Sequence, residues 1–352
     1  MENMKTRIEK IDRNKLNKKI LCEAGDILKK GGLVAFPTET VYGLGANALD
    51  EEAARKTYAA KGRPSDNPLI VHIARMEDLP AIVKEIPEQA KVIAEKFWPG
   101  PLTMIFEKSE IVPYPTTGGL DTVAVRMPVD EVACALILAG GGYVSAPSAN
   151  TSGRPSPTTA EHVAEDMNGK IEMILDGGAV EIGVESTILD MTVTPPMILR
   201  PGAVTEEMLE ELIGEVSVDR TILDAGSKTP PKAPGMKYRH YAPKAELSIV
   251  EGEIGQVVSF INEIVKEKIE EGFKVGIIGT EETVGRYPYG DVKCVGTRED
   301  EMTIAGHLYG ILREFDTDGV DYIYSESFAA EGIGSAVMNR LLKAAGHHVI
   351  TL

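Results

Sequence analysis

The stretch EQAKVIAEKFWPGPLTMIF, residues 88–106, changes its structural period within twenty positions. Glu88 to Phe97 follows a helical pattern and is closed by Trp98-Pro99-Gly100-Pro101, a cluster of residues that cannot continue a helix. Leu102 to Phe106 then reads as a strand. The same alternation spreads in both directions. Upstream, Gly31-Gly32 ends a helix, Leu33 to Phe36 is a strand, Glu51 to Ala60 is helical and Leu69 to Ile73 is a strand. Downstream, Thr122 to Arg126 is a strand and Glu131 to Ala139 a helix. Tyr143 to Ala146, Ile171 to Leu175, Ser186 to Leu189 and Met197 to Leu199 are further strands. Short strands interleaved with helices predict an α/β domain around a twisted mixed sheet.

Composition changes after this region. Residues 219–245 carry Thr229-Pro230-Pro231-Lys232-Ala233-Pro234-Gly235 and then Tyr238, His240 and Tyr241. Pro-rich segments are extended connectors, and this one ends in aromatic and basic residues that a plain spacer does not require. A smaller unit follows. Ile254, Val257, Val258, Ile261, Ile264, Val265 and Ile269 share a helical face, and Lys274 to Ile278 reads as a strand. Ile304, Ala305, Leu308, Ile311, Leu312 and Phe315 mark a second helix face. Val320 to Tyr324, Ala336 to Ala345 and His348 to Leu352 complete a strand–helix–strand run of the Rossmann-like kind. The expected organisation is therefore an α/β domain over 10–215, a linker over 216–245, and a Rossmann-like domain over 246–352.

The chain has 352 residues, 43% hydrophobic and 26% charged, which fits two soluble globular domains. No apolar run approaches the roughly 18 residues needed to span a bilayer, and Met1 to Lys19 lacks a signal-peptide core; a cytoplasmic protein with no membrane partner is expected. The three cysteines, Cys22, Cys134 and Cys294, have neither metal-ligand nor disulfide spacing, and two of them sit in apolar stretches that suggest buried thiols. The six histidines form no His-x-x-x-His pair, so a protein-held transition metal is not expected. Thirty-seven basic against 54 acidic residues give a net charge of −17. That weighs against a generic nucleic-acid-binding surface while leaving room for a local basic cleft.

No G-x-x-x-x-G-K-[ST] phosphate loop and no G-x-S-x-G elbow occurs. Gly332-Ile333-Gly334 matches only the start of a dinucleotide fingerprint and reads as a tight turn into a helix. Cations beside proline do recur: Arg63 before Pro64, Arg126 two before Pro128, Arg154 before Pro155 and Arg200 before Pro201. A residue before proline is driven out of the α region, so these arginines fall at strand ends and loops, where planar guanidinium groups can converge on phosphate or carboxylate. Lys61-Gly62-Arg63-Pro64-Ser65-Asp66-Asn67-Pro68, leading to His72, is the sharpest segment. In extended backbone Lys61 and Arg63 would point to one side and call for an anion between them; a solvated basic turn is the plainer reading. Pro37 to Gly45, Ser145 to Asn150 and Gly183 to Thr187 are three polar loops at strand ends, the usual location of sites. His72 reads first as a satisfied core histidine and second as a site residue.

At these residues the sequence resembles a known family. FPTETVYGLGANA (36–48), KGRPSDNPLIVHI (61–73), WPGPLT (98–103), DTVAVRMP (121–128), APSAN (146–150), RPSPT (154–158), GVESTI (183–188) and LRPGAVT (199–205) resemble the YrdC-like threonylcarbamoyl-AMP synthases. The match covers about 10–215. APGMKYRHYAP (233–243) and IGSAVMNRLLKAA (333–345) resemble the linker and smaller domain of that family's long form.

The resemblance implies a YrdC-like mixed sheet and a definite chemistry. L-threonine's amine combines with bicarbonate or CO2, and the carbamate attacks the α-phosphorus of ATP. The adenylate produced would serve downstream transferase machinery that modifies tRNA beside the anticodon. Such a reaction needs positioning and charge stabilisation rather than a covalent nucleophile, and Mg2+ is expected to accompany ATP. By the same resemblance Lys61 and Arg63 are the catalytic pair at the phosphates. Arg63, Asn67, Thr122, Ser148, Asn150, Arg154, Arg200, Tyr238 and His240 fall on the ATP side. Thr40, His72, Arg126 and Ser186 surround threonine, Arg126 on its carboxylate, and Tyr238 with His240 would form the lid. Two alternatives stay open. One is a carbamoyl-adenylate former of the hydrogenase-maturation type, disfavoured by the absence of Cys-x-x-Cys pairs. The other is an RNA-binding module that uses the same basic cleft; separately, the smaller C-terminal unit also reads as a purely structural domain.

Overall fold

A computed structural model describes residues 5–219 and 240–352. Tyr238 lies outside the described residues, as does most of the Pro-rich connector. The described chain divides into two compact units, residues 5–152 with 156–219, and residues 153–155 with 240–352.

In chain order the first unit contains β1 (Arg7–Lys10), α1 (Lys18–Lys29), β2 (Val34–Phe36), β3 (Gly43–Asn47), α2 (Glu51–Lys61), β4 (Ile70–His72), α3 (Leu79–Ile82), α4 (Glu88–Phe97) and β5 (Leu102–Glu107). It continues with α5 (Tyr114–Thr117), β6 (Thr122–Arg126), α6 (Glu131–Ala139), β7 (Val144–Ser145), α7 (Ala160–Met167), β8 (Met173–Asp176), β9 (Thr187–Asp190), β10 (Met197–Arg200), α8 (Glu206–Ile213) and β11 (Ser217–Val218). The described strands form one sheet in the order β1-β8-β2-β3-β7-β4-β6-β5-β9-β10-β11. Parallel pairs such as β4–β6 and β5–β9 alternate with antiparallel pairs such as β5–β6 and β4–β7, so the sheet is mixed as expected.

Helix starts follow the sequence chemistry. The side chains of Asn17, Asp50, Asp130, Thr159 and Thr205 each accept from backbone N–H groups of the first turn. Over 88–106 the helix and strand fall where the period changes: α4 has the expected bounds, and Trp98 turns inward to donate its indole N–H to the Leu102 carbonyl at 2.7 Å. Ile93, Ala94, Trp98, Leu102, Met104 and Val125 share one buried core. Leu21, Leu28, Phe36, Leu136 and Val144 share another, between α1, α6 and the sheet.

Some elements differ from the sequence expectation. β3 lies in a stretch that reads as a glycine-bearing loop, since glycine disfavours strands. A Cβ on Gly45 would approach Phe36 and the Val34 carbonyl to 3.0 Å, so here glycine permits close strand packing instead. The amphipathic helices α7 and α8 are additions to the expected set. The buried-thiol reading fails for Cys22 and Cys294, which are exposed; Cys134 is half-buried, and burial raises its thiol pKa to about 11.

The second unit contains β12 (Glu246–Glu251), α9 (Ile254–Glu270), β13 (Val275–Gly279), β14 (Asp291–Cys294), α10 (Glu301–Asp318), β15 (Tyr322–Glu326), α11 (Gly332–Ala344) and β16 (Val349–Thr351). Its strands are all parallel, in the order β14-β13-β15-β12-β16. Val257, Val258, Ile261 and Val265 of α9 pack on this sheet, while Ile269 at the end of the helix is exposed. The α10 face is buried as the spacing predicts. β12, the strand that opens the unit, and β14 are further additions. α11 starts at Gly332, whose φ is 55°, so the glycine-rich segment is the start of a helix.

Candidate active site

One row of residues crosses the centre of the large sheet. His72 on β4 is in register with Arg126 on β6, and Arg126 with Thr103 on β5. Residues in register project to the same face, so an imidazole, a guanidinium and a hydroxyl stand side by side, and all three are buried. The Thr103 hydroxyl lies 2.8 Å from the Ser186 hydroxyl. Ser186 in turn receives Arg200, through Nε to its carbonyl at 3.0 Å and Nη2 to its Oγ at 3.2 Å.

Three polar loops meet at this row. The 37–42 loop takes up backbone bonds from the 182–183 segment, Ile182 N to Glu39 O at 2.9 Å and Gly183 N to Thr40 O at 3.0 Å. It is tied to the 146–150 loop by Leu44 N to Pro147 O and Ala149 N to Tyr42 O, each 2.8 Å. From this junction Arg126 is clamped on two sides. Its Nη1 donates to Thr40 Oγ1 at 2.9 Å and its Nη2 to Glu39 Oε1 at 2.7 Å. Thr38 supports Thr40 through a 2.9 Å hydroxyl contact. Glu39 and Arg126 are each only 4% exposed, so this ion pair is shielded from water, and loss of either partner would leave the other charge buried and uncompensated.

His72 faces the Ile70 carbonyl through Nδ1 at 3.2 Å. Burial first, and the neighbouring Arg126 charge second, lower its pKa to about 3. The imidazole is therefore neutral throughout the physiological range.

Lys61 and Arg63 correct the sequence expectation. Lys61 is the last residue of α2, and Gly62 caps the helix with φ 61°, so the pair does not lie on extended backbone. Helix and cap send the two side chains to separate partners. The Lys61 ammonium is buried, donating to the Ser148 carbonyl and to the Asn150 carbonyl at 2.5 Å. The Ser148 hydroxyl donates to Asn150 Oδ1 at 2.5 Å, so Lys61, Ser148 and Asn150 form one cluster. Arg63 donates to the carbonyls of Asn67 and Pro68 at 3.3 and 3.1 Å. Asn67 is buried, and its Oδ1 has no hydrogen-bond partner among the described residues. Thr122 opens β6 on the Arg126 face, four residues or about 13 Å along the strand.

Arg154 and His240 belong to the second unit. Arg154 faces Asp316 at 3.6 Å, and His240 is buried with its ring 5.6 Å from that of Tyr241. Glu39 and Thr103 join the site although neither stands out in the sequence as an individual site residue. Both lie in stretches that do stand out, FPTET and WPGPLT, so their only signal is position beside the other site residues.

Among the described residues no three His, Cys, Asp or Glu side chains group as a metal cradle. No described helix is long and apolar enough to cross a membrane.

Comparison with known proteins bears on both units. A family model named for Sua5, YciO and YrdC and described as telomere recombination matches residues 26–202. A second, described as threonylcarbamoyl-AMP synthase, C-terminal domain, matches residues 204–346. A threonylcarbamoyl-AMP synthase from Pyrococcus abyssi is 53% identical over 332 residues, covering 94% of this chain and 95% of the relative. Its counterpart from Bacillus subtilis is 48% identical over 351 residues, covering 99% of this chain and all of the relative. The crystal structure of Pyrococcus abyssi Sua5 complexed with L-threonine superposes with a TM-score of 0.94 at 49% identity, covering 99% of this chain and 100% of that one. Escherichia coli YciO, at 21% identity and a TM-score of 0.51 over 55% of this chain, shares the fold.

Proposed function

The chain belongs to the threonylcarbamoyl-AMP synthase family, as a long-form member with both of its domains, and we propose that it joins L-threonine, bicarbonate and ATP into threonylcarbamoyl-AMP with release of pyrophosphate. The observation that carries the reading is the buried Arg126, held by Glu39 and Thr40 beside neutral His72 at the meeting of three loops.

Threonine's ammonium condenses with bicarbonate, losing water and releasing one proton to solvent, to give the carbamate. A carbamate oxygen then bonds to the α-phosphorus of ATP as the bond to the bridging oxygen breaks and pyrophosphate leaves. The proposed roles follow from charge. Arg126 takes the amino-acid carboxylate in a charge-assisted pair, and neutral His72 and Thr40 border it without adding charge. Ser186 is a hydroxyl partner on the amino-acid side; its contact with Arg200 joins that side to the nucleotide side. Lys61 and Arg63 lie toward the reacting phosphates, where fixed cations stabilise charge as it develops. Ser148 and Asn150 orient Lys61, and Asn67 and Thr122 face the nucleotide. Mg2+, when bound together with ATP, would supply positive charge that stabilises the departing pyrophosphate.

The product is a labile mixed anhydride. We place the protein in the cytoplasm, ahead of transferase machinery that passes the threonylcarbamoyl group to tRNA. The test is pyrophosphate release from ATP, Mg2+ and bicarbonate with and without L-threonine. Release that needs both threonine and bicarbonate, and falls about 10²-fold or more with Lys61→Ala, supports the reading. A folded protein that releases none and binds RNA with a steep salt dependence favours the binding-module alternative.

A further inference from the structure

Glu39 has an oxygen that the fold leaves over. Its Oε1 accepts from Arg126 at 2.7 Å. Its Oε2 is buried and has no hydrogen-bond partner among the described residues, in a side chain only 4% exposed. The loop backbone is not free to swing that oxygen out to water, because the Ile182 N–H holds the Glu39 carbonyl and the Gly183 N–H holds that of Thr40. A buried carboxylate oxygen left bare is costly, and such atoms in native structures call for an explanation.

The explanation lies in the charges. Arg126 and Glu39 together are neutral, a guanidinium beside a carboxylate. An α-amino acid is their mirror, a carboxylate beside an ammonium, with both charges on one carbon. A substrate carboxylate on Arg126 sets its ammonium within reach of the adjacent Glu39 oxygen. A hydroxyl could fill the same hydrogen bond but would leave the charge unanswered.

We propose that Glu39 Oε2 binds the ammonium of the amino-acid substrate, so that the Glu39–Arg126 pair selects zwitterions. The proposal rests on the reading of Arg126 as the carboxylate anchor. The contact is strongest before the carbamate forms, since the carbamate nitrogen keeps one N–H and loses its charge. Its loss therefore raises KM for threonine more than it lowers kcat.

The test compares wild type, Glu39→Gln, Glu39→Asp and Arg126→Met. L-threonine affinity is measured by calorimetry. Inhibition by (R)-3-hydroxybutyrate, which has hydrogen in place of the amine, is measured against threonine-dependent pyrophosphate release. Glu39→Gln should weaken threonine by about tenfold or more, the worth of a charged hydrogen bond, and leave 3-hydroxybutyrate within about threefold of wild type. Glu39→Asp, which keeps the charge, should recover part of the loss. ATP affinity in the same titrations checks that each variant is folded. An equal loss for both ligands would reduce Glu39 to a support for Arg126 and overturn the proposal, as would no loss for either. If Arg126→Met leaves both ligands unaffected, the carboxylate-anchor reading fails instead.

Discussion

Each unit has a buried glutamate paired with an arginine, Glu39 with Arg126 and Glu326 with Arg298, and the two carboxylates are answered differently. In the second unit Glu326, at the end of β15, has no exposure; its Oε1 accepts from the Tyr287 hydroxyl and its Oε2 from Arg298, both at 2.6 Å. Both oxygens are answered within the fold, and burial together with the Glu326 carboxylate drives the Tyr287 pKa upward. In the first unit Glu39 is answered on one oxygen only. A closed carboxylate fastens strand ends to the loops that follow them. An open one, beside a clamped arginine and a neutral histidine, is arranged for something that arrives from outside. The difference teaches that burial of charge does not by itself mark a site; what sets Glu39 apart from Glu326 is a carboxylate oxygen that the fold leaves unanswered.

The strongest way to break this contrast is Arg126→Met. If the first unit's pair is the amino-acid site, kcat/KM for threonine should fall about 10²- to 10³-fold, the cost of removing one side of a buried charged contact. Steady-state pyrophosphate release on protein verified as folded measures it. Glu326→Ala is the counterpart. It strands Tyr287 and Arg298, so unfolding stability should drop by about 3 kcal/mol in a denaturant titration. Its kcat/KM should stay within about threefold of wild type, and a large loss of activity without loss of stability would erase the contrast.

A third comparison sharpens what the first unit recognises. Threonine and serine share the carboxylate and ammonium that Arg126 and Glu39 would hold, and differ by one methyl. Serine should therefore be a working substrate with kcat/KM about 10- to 200-fold lower. The last effect, one of stability rather than turnover, concerns His72. Its folded pKa, about 3, lies below the ordinary value of 6.5, so between those values the unfolded chain binds the extra proton. The stabilisation is present above about pH 6.5 and is lost as pH falls toward 3, with a slope of up to about 1.4 kcal/mol per pH unit. Stability of wild type and His72→Asn measured from pH 4 to 7 should differ by that slope; parallel curves would mean that His72 is charged in the fold.

Much of this is legible in the amino-acid sequence alone. The period change at 88–106 locates α4 and β5, and the helical faces of the second unit predict α9 and α10. The three polar loops are each visible as strand-end clusters, and they do converge. What stays hidden depends on long-range contacts. Gly43 and Gly45 look like loop residues until Phe36 and Val144 are packed against them. Lys61 and Arg63 look like neighbours on one side until Gly62 ends a helix between them. Thr103 is an ordinary strand threonine until register sets it beside Arg126. The open oxygen of Glu39 belongs to no motif, because an unmade hydrogen bond has no sequence.

Hydrogen–deuterium exchange with and without L-threonine tests the contrast between the two units most directly. The account predicts slowed exchange at residues 37–43, 122–127 and 183–188 and none at 280–298 or 326–335. Protection of the segments around Glu326, with the first unit unchanged, would contradict it.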